Sequence, residues 1–195
     1  MKIAVYVGSF NPVHKSHIKV VNLVLKNYVD KVIIVPTLAY WDKKNLIDIK
    51  DRINMLKFYE NEKIIIDTKN NKCEYTYQVL REIQKQYKND EIYLVIGDDL
   101  LTKFDKWKNI DEILKYRIII VKRNNIDACV YDKYSKYNFI VTNKVDSEDV
   151  SSTMVRNMIL NKDKDILKYI DMKVYKYIKR GNYERKRSSK KINKK

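Results

Sequence analysis

The stretch KIAVYVGSFNPVHKSHIKVVNLVLKNYVDKVIIVP, residues 2–36, sets the fold. It opens on a short run rich in β-branched residues, KIAVYV (2–7), and turns through a loop holding Gly8 and Pro12. It then enters a segment whose apolar residues Ile18, Val21 and Leu25 recur at helical spacing, and closes on a second β-branched run, KVIIVP (31–36). Strand, loop, helix and strand in that order make the unit from which parallel sheets are built.

The same alternation continues outward. The runs KIIID (63–67), EIYLVIG (91–97) and RIIIVK (117–122) read as buried strands, and NFIVTN (138–143) as a sixth. Between them Ile53, Leu56 and Tyr59, then Tyr77, Leu80, Ile83 and Tyr87, then Ile110, Ile113 and Leu114 mark helices. Further helices are expected at about 152–160, 163–169 and 171–180. The expectation is an α/β fold, a doubly wound and mostly parallel sheet in a single domain over residues 1–183. Residues 184–195, ERKRSSKKINKK, form a basic tail with almost no apolar content and are expected to be disordered.

Composition narrows the class. A chain of 195 residues should bury about 70% of its unfolded surface, enough for a core without disulfides or a structural metal. Cys73 and Cys129 are far apart and form no CxxC pair, so they read as reduced thiols. No apolar run reaches the roughly 18 residues of a membrane span, and the N-terminus has no signal-peptide core; a cytoplasmic protein without a membrane partner is expected. The 41 Lys and Arg against 25 Asp and Glu leave a charge of +16, but spread along the chain, so charge alone does not name a partner. Glycine is informative because only 3 occur, where ordinary usage gives about 14. Gly8, Pro12, Pro36 and Gly97 all fall just after the first, second and fourth strands, at the edge where open α/β sheets bind ligands.

The loop GSFNPVHKSH (8–17) holds both histidines of the chain, His14 and His17. Gly8 permits close backbone approach, Pro12 fixes the loop, and the helix starting near His14 offers unsatisfied N–H groups to a phosphate. Two imidazoles three residues apart share a helical face and suit a charge clamp. HKSH is not HExxH, so a zinc site lacks its further ligands, and the loop is neither GxGxxG nor a Walker-type P-loop. A second cluster, SSTMVR (151–156), opens a late helix, with Ser151 or Ser152 as cap and with Thr153 and Arg156 as polyanion donors.

Together the two clusters resemble the HxGH nucleotidyltransferase superfamily, which joins a G[ST]FxPxHxGH string to a late [IV]S[SA]Tx[IV]R string. One position departs: Ser16 stands where the superfamily has glycine. EYTYQVL (74–80), IGDDLLTKFDKW (96–107) and PTLAYWDKKNL (36–46) are similar to segments of the nicotinate or nicotinamide mononucleotide adenylyltransferases. The phosphopantetheine adenylyltransferases share both outer strings but have Thr at the first His position, so His14 argues against them.

The resemblance implies a Rossmann-like nucleotidyltransferase that joins ATP to nicotinate mononucleotide, with nicotinamide mononucleotide as a second acceptor left open, in NAD biosynthesis, with Mg²⁺ entering on ATP and no protein metal site; another small HxGH adenylyl or cytidylyl transferase is the alternative. It implies His14, His17 and Arg156 as catalytic residues. ATP would meet Gly8, Ser9, Phe10, His17, Gly97, Asp99, Ser152, Thr153 and Arg156. The pyridine nucleotide would meet Ser9, Phe10, Lys44, Thr76, Tyr77 and Trp107, with Lys43, Trp41 and Arg52 ranked lower. Asp99 is preferred to Asp98 as the second acidic residue of IGxD.

A different class, nucleic-acid binding, draws on the +16 charge, 16 tyrosines and the basic tail, which could also serve nuclear import. The signature strings instead converge on one phosphate crevice, and the tyrosines scatter as core filler does. Nothing in the sequence sets the state of assembly, and a homo-oligomer is compatible with it.

Overall fold

The structure is a computed structural model describing residues 1–38, 46–123, 128–142 and 150–182. The described strands are β1 (Lys2–Gly8), β2 (Lys31–Pro36), β3 (Ile64–Ile66), β4 (Glu91–Gly97), β5 (Arg117–Val121) and β6 (Phe139–Val141). They form one sheet in the order β3-β2-β1-β4-β5-β6, with every neighbouring pair parallel. The helices are α1 (Lys15–Asn27), α2 (Ile49–Leu56), α3 (Thr76–Gln86), α4 (Ile110–Ile113), α5 (Ala128–Asp132), α6 (Ser152–Leu160) and α7 (Met172–Tyr177).

Alternation along each strand divides the core in two. Ala4, Tyr6, Val32, Ile34, Val95 and Ile119 face one layer, where α1, α2, α6 and α7 bury Val20, Val24, Met55, Leu56, Val155 and Val174. Ile3, Val5, Ile33, Leu94 and Ile118 face the other, against Val79, Leu80 and Ile83 of α3 and Ile113 of α4. The chain winds one way through β1, β2 and β3 and then crosses to β4, so β1 and β4 flank the topological switch point. Gly8 and Gly97 end those two strands.

Some boundaries differ from the sequence reading. α2 starts earlier than the Ile53, Leu56 and Tyr59 pattern suggests, because the Asp48 carboxylate caps it, accepting from the Lys50 N–H at 2.9 Å. β6 is limited to Phe139–Val141, with Asn138 and Thr142 outside it. Residues Asp98–Lys106 form a 3-10 stretch and Ala128–Asp132 a short helix, neither marked by periodicity. The final helix widens into a π turn over Ile178–Asn182. Among the described residues no helix is long and apolar enough to cross a membrane. The expected tail at 184–195 lies outside the described residues.

Candidate active site

The loop after β1 is held from three sides. Gly8 pairs with Pro36 at the ends of β1 and β2, and its carbonyl accepts from the Thr37 N–H at 2.9 Å. Phe10 sits at φ 43°, a left-handed conformation that a side chain adopts only when its surroundings enforce it. They do so here, since the Phe10 ring is buried beneath Gly8 and a Cβ at Gly8 would come within 3.1 Å of it. The Asn11–Pro12 peptide is cis.

Below the loop lies Arg52, 1% exposed. Its guanidinium donates to the carbonyls of Ser9 at 2.6 Å, Thr37 at 2.7 Å and Ile47 at 3.0 Å. A buried cation with its donors on backbone carbonyls holds the loop's shape, so Arg52 is a loop anchor and not the substrate contact considered from sequence.

His14 is the N-cap of α1 and lies 1% exposed. Its ring stacks on His17, centroids 3.6 Å apart, and Phe10 meets His17 edge-on at 5.0 Å. The His14 N–H donates to His17 Nδ1 at 3.2 Å, while His14 Nδ1 is turned toward the helix in the reciprocal capping-box position and is buried without a formed hydrogen bond.

Two expectations about this helix end change. Burial and the nearby Arg123 cation push His14 down to about 3, so at neutral pH it is an uncharged imidazole and the pair is not a double-cation clamp. The first turn of α1 is also less open than expected. The Lys15 N–H donates to the Tyr169 carbonyl at 2.8 Å, and the His17 N–H to the His14 carbonyl at 3.0 Å. An anion placed here would meet side chains more than free backbone N–H groups.

The late string does meet the first loop. Arg156 Nη1 donates to the Asn11 carbonyl at 2.8 Å, Arg156 Nη2 to Thr153 Oγ1 at 2.8 Å, and Ser152 Oγ to the Pro12 carbonyl at 3.2 Å. Ser151 rather than Ser152 caps α6, accepting from the Met154 N–H at 3.1 Å.

The end of β4 lies beside this loop, joined to α1 through Arg123 and Ser16. Asp98 is fully buried and accepts from the Arg123 N–H at 3.1 Å and the Tyr131 hydroxyl at 3.3 Å. Asp99 is exposed at the strand end, its carboxylate packed against Gly97 where a Cβ would collide with it. Buried Tyr6 joins the two halves: its ring meets Phe10 edge-on at 5.3 Å, and burial pushes its hydroxyl up to about 12, with Arg123 opposing and Asp99 adding to the shift.

The pyridine-nucleotide set is less converged. Thr76 begins α3, and half-buried Tyr77 stacks on Tyr75 and lies 5.5 Å from the Arg81 guanidinium. Trp107 ends the 3-10 stretch and meets Phe104 edge-on at 5.0 Å. Tyr77 and Trp107 border one hydrophobic layer, the one opposite α1. Lys44, with Trp41 and Lys43, lies outside the described residues. Sequence reasoning missed Arg123, although it directly follows the RIIIVK strand and the strand-end rule that found Gly97 reaches it as well.

An HxxH loop at the switch point, bonded to a late S-S-T-x-x-R helix, marks a nucleotidyltransferase, and the chain belongs to the cytidylyltransferase-like family, whose profile matches residues 5–158. Within it, the chain is 36% identical over 188 residues to the probable nicotinate-nucleotide adenylyltransferase of Endomicrobium trichonymphae, covering 91% of this chain and 95% of that one. It is 34% identical over 190 residues to the protein of the same name from Fusobacterium nucleatum, covering 92% and 98%. Among solved structures it resembles the Plasmodium falciparum nicotinic acid mononucleotide adenylyltransferase, complexed with APC or with NaAD. The TM-score is 0.73 at 25% identity, over 93% of this chain and 96% of that one.

Proposed function

We propose that this protein transfers the adenylyl group of ATP to nicotinate mononucleotide, releasing pyrophosphate, as a step of NAD biosynthesis in the cytoplasm. The observation that carries this is the junction of Arg156 and Ser152 with the carbonyls of Asn11 and Pro12, which puts the HxxH loop and the late helix around one crevice. Relatives matching over nearly their whole length bear the same activity in their names.

The phosphate oxygen of the mononucleotide forms a bond to the α-phosphorus of ATP, and the bond from that phosphorus to the β-bridging oxygen breaks. The nucleophile is already anionic, so no general base or covalent intermediate is needed. The protein's task is in-line placement and neutralisation of spreading charge. Neutral His14 offers a ring nitrogen to phosphate, and His17, whose Nδ1 accepts from the His14 main-chain N–H, carries its proton on Nε2. His17 thus adds a donor, and Arg156 with Thr153 and Ser152 closes the far side. Asp99 is placed for a ribose hydroxyl; Thr76, Tyr77 and Trp107 take the pyridine nucleotide.

Mg²⁺ would enter with ATP as part of the substrate. Among the described residues no group of three His, Cys, Asp or Glu is gathered to hold an ion, and Asp98 is already bonded to Arg123 and Tyr131. This donor set suits phosphate oxygens better than a resident cation. The deciding experiment pairs ATP or CTP with nicotinate mononucleotide, nicotinamide mononucleotide, phosphopantetheine and FMN, and reads pyrophosphate. Turnover is expected with ATP and nicotinate mononucleotide; preference for phosphopantetheine or FMN would overturn the reading.

A further inference from the structure

Ser16 is the residue at which this chain leaves the HxGH pattern, and it is not idle. It lies in the first turn of α1, 2% exposed, and its hydroxyl accepts from Arg123 Nη2 at 3.3 Å across 107 residues of sequence. Arg123 is thus held at both ends. Its main-chain N–H is fixed by buried Asp98, and its guanidinium by Ser16. Its Cδ passes over Gly97, 3.3 Å from where a Cβ would stand, so the side chain runs across the carboxyl ends of β4 and β5 toward α1. Its bond to Ser16 sets the guanidinium on the turn of α1 that carries His14 and His17.

Among the described residues no carboxylate grips the Arg123 guanidinium, although Asp98 accepts from its main-chain N–H and the Asp99 carboxylate packs against the same glycine as its Cδ. The Arg123 side chain is only part-exposed. Arg156 is anchored likewise, with one N–H of each terminal nitrogen on Asn11 and Thr153. A fixed, part-buried guanidinium whose side chain is bonded to one neutral hydroxyl keeps donors and charge for an anion.

We propose that Arg123 binds the phosphate chain of the nucleotide and that Ser16 is its positioning residue, taking the place of the superfamily glycine by mooring the guanidinium beside the paired histidines. A glycine at this position leaves Arg123 without that anchor. The inference rests on the nucleotidyl-transfer reading for the identity of the anion, but its test does not require turnover.

The probe is inorganic pyrophosphate, titrated calorimetrically into the full chain, alongside steady-state kinetics. Arg123→Gln is expected to weaken pyrophosphate about 10- to 100-fold, the range for losing a charge-assisted contact. It should raise the KM for ATP while leaving that for nicotinate mononucleotide within about twofold. Ser16→Gly and Ser16→Ala are expected to weaken pyrophosphate about 3- to 10-fold, with Ser16→Thr restoring it, and the Ser16→Gly effect should vanish in an Arg123→Gln background. Pyrophosphate affinity unchanged in Arg123→Gln, or a Ser16→Gly effect that persists without Arg123, would overturn the proposal. If the wild-type protein fails to turn over ATP with nicotinate mononucleotide, the functional reading falls, while these titrations still decide this one.

Discussion

Arg52 Nη1 donates to the carbonyl of Ser9 at 2.6 Å, so a buried cation 43 residues downstream shapes the loop over which the substrates are proposed to meet. The same guanidinium bonds Thr37 and Ile47, which flank the segment after β2.

Removing it therefore has two consequences. Arg52→Met leaves three inward-facing carbonyls unpaired and is expected to cost about 3 kcal/mol or more of stability, read as a lowered denaturation midpoint. Arg52→Lys, with one point charge instead of a fork, should retain the fold but raise the KM for both substrates. Wild-type kinetics in Arg52→Lys would show that the fork does not shape the loop.

His17→Ala is expected to lower kcat about 10²- to 10³-fold, the usual loss for one transition-state donor, with circular dichroism and melting unchanged. Near-normal turnover would remove the central support of the mechanism.

Asp98 and Asp99 should separate cleanly. Asp98→Asn weakens the acceptor for Arg123 and Tyr131 in a fully buried position, so thermal stability falls first. Asp99→Asn should leave the melting temperature in place and raise the KM for ATP by about tenfold, the loss of one hydrogen bond to a charged group. The reverse pattern would exchange their roles.

How much of this was legible beforehand follows from where the information sits. β-branched runs and the Gly8, Pro36 and Gly97 punctuation revealed the sheet and its working edge, because buried parallel strands carry continuous apolar sequence. Short elements such as Asp98–Lys106 and Ala128–Asp132 had no period to read. The motif strings brought His14, His17 and Arg156 to one place but did not disclose that His14 is neutral, since its state comes from burial and a cation 109 positions away. The Ser16 departure was visible; its partner was not, because a contact spanning 107 residues leaves no local pattern.

That depressed histidine has a sign that can be checked. His14 binds its proton at about 3 in the folded chain against an ordinary value of 6.5. Between those limits the unfolded chain takes up a proton the folded site refuses, so this contribution to stability is complete above about pH 6.5 and is lost as pH falls toward about 3. The slope approaches about 1.4 kcal/mol per pH unit inside the window. Denaturant melts at about pH 7.5 and pH 4.5 are expected to differ more for wild type than for His14→Asn. Equal differences would show that His14 does not carry this acid sensitivity.

The strand order also governs assembly on the ribosome. β1 emerges before either neighbour, yet it lies mid-sheet: Ile3 pairs with Lys31 on one side and with Ile92 on the other. Until Glu91–Gly97 has been synthesised, β1 keeps an open hydrogen-bonding edge that foreign strands can capture, and such distant pairings form slowly. The Asn11 carbonyl waits longer still, for Arg156. A translation pause or truncation before Gly97 leaves β1 as an exposed template, and one between Gly97 and Arg156 leaves that edge paired but the first loop without its late-helix partner.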